Sequence, residues 1–346
     1  MRLPLLAALS ALLLVGGGAP PLGAAEFEKN IMTGGPSGTY IQIGRDVAGL
    51  AAECGQILNV VESAGSLENL GAVRNRPFTQ FGIVQSDVLE YVNTFAAADD
   101  ELRDAIRGVR IMYPLYNEEV HVLARREIAS LAGLAGRKVA IGKVDSGNYL
   151  TASLVLDILR VGDAERIAIN PDEALPKVLA GEIDAMFYVA GAPTRLFADA
   201  AIDAAKFHLL PITEAPLRAS YAAAAIPAGT YPFQSAAVEV IAVKAVLMTY
   251  DYNPARSAYH RQSCKAASDM ASLILTHLDR LREKGHPKWK DVDLAAIPPG
   301  WQVSACVKAG MAADYRPACA APAADSAPEA GSDREYLELL KQRLRK

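Results

Sequence analysis

Two periods of hydrophobicity alternate along this chain. Short apolar runs at 30–33, 57–62, 81–84, 138–142, 166–169 and 185–189 read as buried strands. Stretches with helical spacing follow at 66–73, 146–160 and 171–180, the last with proline in its first turn. Such alternation predicts an α/β protein with parallel sheets covered by helices. Two further runs, 109–113 and 120–124, flank Pro114-Leu115-Tyr116-Asn117, a natural place for the chain to cross between lobes. The chain returns through 221–226 and 238–248, which are apolar enough for central strands. A long helix is predicted from Asn253-Pro254 to about Gly285, with Ala267, Met270, Ala271, Ile274, Leu278 and Leu281 on its buried face. The division that follows is 26–116 for the first part of lobe 1, 117–217 for lobe 2, and 218–310 for the remainder of lobe 1 with C-terminal helices. Two crossings make relative motion of the lobes the default expectation.

The ends change this picture. Residues 1–25 read as a cleaved signal peptide: Arg2, an apolar run from Leu3 to Val15, then Gly23-Ala24-Ala25. Removing 25 of the 346 residues leaves 321, enough for two compact domains. No later run is long and apolar enough for a bilayer span, so an exported soluble protein is expected. Residues 311–346 are expected to be a flexible tail, a disordered Ala/Pro-rich linker carrying a short amphipathic helix at 333–346. The formal net charge of −4, without a basic block in the main body, argues against nucleic acid as a partner.

The candidate chemistry is a device that occurs twice: Ser37-Gly38-Thr39-Tyr40 and Ser146-Gly147-Asn148-Tyr149. Each copy follows a strand and opens a helix, so each aims unpaired backbone N–H groups into one space. Two such corners suit two lobes gripping one small organic anion. Glu62-Ser63-Ala64-Gly65-Ser66 and Val84-Gln85-Ser86-Asp87 fall at equivalent strand ends, where open α/β sheets bind ligands. Asp87 fits either a ligand amine or a helix cap. Tyr40 and Tyr149 fit either closure over a ligand or packing, and Tyr188 is placed facing the cleft. Lys143 fits either a carboxylate partner or a solvated loop lysine.

Catalytic and metal signals are sparse. Gly35-Pro36-Ser37-Gly38-Thr39 matches a nucleophile elbow until its last position, where Thr39 replaces the required glycine. His260 and Cys264 have i, i+4 spacing but no further ligands nearby in sequence, so no metal and no cofactor are expected. His121 is read as structural. The four cysteines allow three full pairings, none within C-x-x-C. A disulfide between Cys264 and Cys306 is favoured because it would tie the long helix to the segment after it, while Cys54 is read as a buried small hydrophobe.

Several of these motifs together resemble the TAXI family of solute-binding proteins from TRAP transporters. Gly34-Gly35-Pro36-Ser37-Gly38-Thr39-Tyr40, Ser63-Ala64-Gly65-Ser66-Leu67-Glu68-Asn69-Leu70 and Ile83-Val84-Gln85-Ser86-Asp87-Val88 carry the resemblance in lobe 1. Val139-Ala140-Ile141-Gly142 with Ser146-Gly147, Gly181-Glu182-Ile183-Asp184-Ala185-Met186-Phe187, Ala190-Gly191-Ala192-Pro193 and Ile226-Pro227-Ala228-Gly229-Thr230-Tyr231-Pro232 extend it to about residue 250. The resemblance implies a two-lobed periplasmic-binding-protein fold (type II-like) with a central cleft. It implies a periplasmic, non-enzymatic receptor that hands a small carboxylate, an amino acid or dicarboxylate, to a TRAP-type membrane permease. Ser37, Gly38, Thr39, Tyr40, Ser66, Gln85, Asp87, Lys143, Ser146, Gly147, Asn148 and Tyr188 are the candidate cleft residues. Asn148 stands where the family more often has threonine. After about Tyr252 the family's usual ending gives way to the long helix, Trp289 and Pro298-Pro299-Gly300-Trp301. An exported sensor that docks a partner through this divergent region is the alternative expectation.

Overall fold

The computed structural model describes residues 27–319; the expected signal peptide and the helix at 333–346 lie outside them. Ten strands form one sheet: β1 (Asn30–Met32), β2 (Asn59–Val61), β3 (Thr79–Gln85), β4 (Val109–Arg125), β5 (Lys138–Ala140), β6 (Glu165–Ile167), β7 (Ala185–Ala190), β8 (Phe207–Leu209), β9 (Ala222–Ile226) and β10 (Val238–Tyr250). Their order is β2-β1-β3-β10-β4-β7-β5-β6, with β8 beside β4 and β9 beside β10. β1 runs parallel to β2 and β3, and β5 runs parallel to β6 and β7. The two halves thus repeat one arrangement of second, first and third strand. β3 and β7 are buried at every position, as strands covered by helices on both faces should be.

The long strands β4 and β10 join the halves antiparallel to each other. Two main cores pack on either side of a line across them, and a third, smaller cluster takes Val109 and Ile111 of β4 with Val246 and Met248 of β10. One core takes Val120, Val122 and Leu123 of β4 together with Ile241 and Val243 of β10, and the other takes Tyr113, Tyr116, Ala245 and Leu247. The predicted crossing at 114–117 is therefore the middle of one 17-residue strand rather than a break between two. Pro114, which has no N–H to donate, is accommodated where the register with β10 shifts between Lys244 and Val246.

The core that takes Val120 and Ile241 extends past the expected boundary at Leu217, through Val243. Tyr231 explains why: its hydroxyl bonds His121 Nε2 at 2.8 Å and accepts the Thr194 N–H at 3.1 Å. Phe197, Tyr231 and Phe233 pack their rings together in the same place. The long helix predicted from Asn253 starts instead at Ala258, because Ser257 supplies the cap by accepting from His260 N–H. It ends at Thr276, whose hydroxyl bonds back to the Ser272 carbonyl at 2.7 Å. A separate helix, Leu278–Lys284, follows.

Two disulfides join these parts. Cys264 bonds Cys306, linking the helix Ala258–Thr276 to the helix Ala305–Gly310. Cys54 is not a lone buried thiol, for it bonds Cys319. Residues 311–319 likewise depart from the expected flexible tail. Buried Asp269 accepts from Tyr315 Oη at 2.6 Å and from the Ala318 N–H at 3.2 Å, fastening this segment to lobe 1. Its carboxylate also takes Gln56 Nε2 and Lys265 Nζ. The residues between Met311 and Cys319 hold one large apolar-bodied side chain, Tyr315, too little to announce that anchorage in sequence.

Candidate functional site

Six strand ends supply one pocket. Gly34, Gly35, Gly38, Thr39 and Tyr40 follow β1; Ala64, Gly65 and Ser66 follow β2; Gln85 ends β3. From the other half, Lys143, Ser146, Gly147 and Asn148 follow β5, Asn170, Pro171 and Asp172 follow β6, and Tyr188, Val189 and Ala190 end β7. Glu118, on the crossing strand β4, completes the wall. The two Ser-Gly corners therefore occupy the same topological position in two copies of one strand–helix unit. They meet there because helices begin, and backbone N–H groups collect, at the carboxyl ends of parallel strands.

The pocket is small, about 80 Å³, against the roughly 300–1,000 Å³ common for ligand clefts. Contacts between the halves draw its walls together. Ser37 Oγ donates to Asp172 Oδ1 at 2.5 Å, and Thr39 Oγ1 donates to the Gly191 carbonyl at 2.8 Å. Thr151 Oγ1 donates to Asp87 Oδ2 at 2.6 Å. The backbone N–H groups of Leu67 and Glu68 both donate to the Asp145 carbonyl, at 3.1 and 3.0 Å. The first turn of the helix Ser66–Asn75 is thus satisfied by the opposite half of the protein. Gly65, at φ +129°, makes this approach possible: a Cβ there would stand 3.3 Å from Ser146 Cβ.

Several hydroxyls expected to greet a ligand are already engaged. Ser146 Oγ accepts from Tyr149 N–H and donates to the Lys143 carbonyl, closing its own helix cap. Asn148 spans the Phe187 carbonyl and the Val189 N–H, so its amide fixes β7. Ser37 and Asp87 lie outside the pocket lining and act between the halves. Tyr149 packs on the core that takes Val120 and Ile241. His121 is structural, fully buried, with Nδ1 near the Glu119 and Tyr188 carbonyls; burial pushes it down to about 4. Cys264, being disulfide-bonded, offers no thiolate to a metal.

Three groups keep unspent capacity. Ser66 Oγ accepts the Gln85 N–H at 3.1 Å and donates to Gln85 Oε1 at 3.3 Å, which leaves the buried Gln85 Nε2 without a partner. An orphaned buried donor costs roughly 1–3 kcal/mol, so an acceptor placed there would be favoured. Lys143 is exposed at the rim and forms no ion pair among the described residues. The helix Thr39–Glu53 has Gly38 at its cap and no capping side chain, leaving its first turn to accept an anion.

Glu118 is a wall residue that the motifs do not single out. Burial pushes its carboxyl well above the ordinary carboxylate range, while the Tyr40 O–H, donating to Oε2 at 2.7 Å, pulls the other way; Asp87 and Glu119 add to the rise. It therefore favours the neutral form, which carries a proton to donate. Behind it, buried Lys288 places Nζ 2.6 Å from Glu119 Oε1, while Glu119 Oε2 accepts the Ala192 N–H. The signal in sequence is an acidic pair, Glu118-Glu119, inside a strand that is mostly apolar and buried.

Residues 31–265 match the model of the NMT1-like family. The chain belongs to the NMT1-like family. The NMT1-like region contains every pocket-lining residue, and the segments around Trp289 and Trp301 lie beyond it. Among solved structures, the chain is similar to the periplasmic binding protein BugD at 10% identity, over 78% of this chain and 88% of that one, with a TM-score of 0.47. It is similar at 16% identity to the GluR0 ligand-binding core from Nostoc punctiforme in complex with L-glutamate, covering 72% and 98%, TM-score 0.40. The periplasmic aliphatic sulphonate binding protein SsuA from Escherichia coli matches at 14% identity, covering 74% and 76%, TM-score 0.38.

Proposed function

We propose that this NMT1-like protein is an extracytoplasmic, non-catalytic receptor that encloses one small organic anion, a carboxylate, between its two halves. The observation that carries this reading is the convergence of six strand ends on a pocket where Gln85 Nε2 is buried without a partner. A carboxylate would take that amide, the first-turn N–H groups after Gly38 and the proton of Glu118, with Lys143 supplying charge at the rim. Neutral donors of this kind are worth about 1 kcal/mol net each. A micromolar affinity requires about −8 kcal/mol, so enclosure and buried ligand surface supply the rest. Opening about β4 and β10 would admit the ligand and re-form the contacts between the halves around it.

The same motifs that resemble TAXI proteins support delivery to a TRAP-type permease as the purpose of capture, with a periplasmic location. The described part of the divergent C-terminal region is fastened to lobe 1 by Asp269 and both disulfides. That favours a structural role for it over a free docking arm.

Calorimetric titration with amino acids, monocarboxylates and dicarboxylates tests the proposal. A member of the panel should bind, and Gln85→Ala should weaken it about ten-fold. Heat-silent mixing with every small carboxylate would refute it.

A further inference from the structure

A second cavity, of about 650 Å³, opens on lobe 1 and shares no lining residue with the interlobe pocket. One wall is a single face of the helix Ser86–Ala96, where Glu90, Asn93 and Thr94 succeed one another at helical spacing. The opposite wall is Ile297-Pro298-Pro299-Gly300-Trp301, and Lys244 of β10 contributes to the lining. The volume is that of an ordinary small-molecule site.

Its chemistry is specific. Trp301 is half-buried and, with Ile297 and the two prolines, offers a flat apolar surface. Lys244 is half-buried and Glu90 exposed, and neither forms an ion pair among the described residues. The cavity therefore presents an ammonium and a carboxylate, both uncommitted, beside an aromatic wall. We propose that it binds a small aromatic zwitterion, an aromatic amino acid, with its ring on Trp301, its carboxylate at Lys244 and its ammonium at Glu90. Lys244 stands at the register shift of β10, on the strand that joins the halves. Ile297 to Trp301 lie beyond the NMT1-like match at 31–265, so the site is built where this chain adds its own segment to the shared fold.

L-phenylalanine is the probe, and the full chain is titrated by calorimetry and by tryptophan fluorescence. The chain has two tryptophans, and Trp289 is fully buried, so a change on binding reports Trp301. L-phenylalanine should bind and alter this emission, with phenylacetate and phenethylamine each at least about ten-fold weaker because each lacks one charge. Glu90→Gln, an exposed and conservative change, and Lys244→Met should each weaken binding about ten-fold, while Gln85→Ala in the interlobe pocket leaves it unchanged. Equal binding of phenylacetate, or loss of binding in Gln85→Ala with none in Glu90→Gln, would overturn the proposal. No binding of L-phenylalanine at millimolar concentration by natively melting protein would overturn it as well.

Discussion

Gln85 Oε1 lies 1.3 Å from the point where a Cβ on Gly147 would stand. The end of β3 in one half is pressed against the helix start of the second Ser-Gly corner in the other. Ser66 Oγ is 2.6 Å from the same point, so the space is filled by two side chains from lobe 1. Gly147→Ala should therefore keep each lobe folded and prevent full closure. Small-angle scattering should show a larger radius of gyration than wild type, with far-UV circular dichroism unchanged.

The contact between Ser37 and Asp172 gives a milder version of the same effect. Its partners are only partly buried, so losing it should cost about 0.5–1.5 kcal/mol of closure. Ser37→Ala and Asp172→Asn should each weaken ligand binding a few-fold, and the double variant should be no worse than the singles. Additive losses would show that the two side chains act separately.

Asp87 ties stability to pH. Burial raises its carboxyl from 3.8 to about 6, against the opposing bonds from Thr151 and the Val88 N–H. A carboxyl raised in the folded protein binds more protons there than in the unfolded chain between these two values. Stability should be full below about pH 4 as far as this group is concerned, and fall by about 3 kcal/mol as pH rises through 6. Denaturant titrations of wild type and Asp87→Asn at pH 4 and pH 7 measure this. The variant should lose most of that pH dependence; identical slopes in both proteins would show that Asp87 does not set it.

The helix and strand pattern is readable because β3 holds the apolar run Phe81–Val84, β7 is apolar throughout and Pro171 marks a helix start. The Ser-Gly corners are readable for the same local reason, since strand-to-helix turns need glycine and a cap. What sequence conceals is where each hydroxyl is spent. Ser146 looks like Ser37 in its motif, yet one caps its own helix and the other crosses to Asp172, 135 positions away. Glu118 is concealed too, because its burial depends on β4 running unbroken through Pro114. So is the bond between Cys54 and Cys319, whose partners are 265 positions apart.

That disulfide closes nearly the whole described chain. In the chain-entropy view such a loop contributes about 5 kcal/mol by restricting the unfolded state. The paired change Cys54→Ser with Cys319→Ser should lower stability by that amount and leave small-carboxylate binding intact, since neither residue lines the pocket. Urea midpoints combined with the calorimetric titration read both.

A crystal structure with a bound carboxylate decides whether the jaws hold what their geometry fits. Difference density should stand between the two Ser-Gly corners, with a carboxylate oxygen within hydrogen-bond distance of Gln85 Nε2 and the ligand's charge toward Lys143. A ligand seated anywhere else, with Gln85 still unpartnered and the interlobe pocket filled only by protein, would contradict that picture.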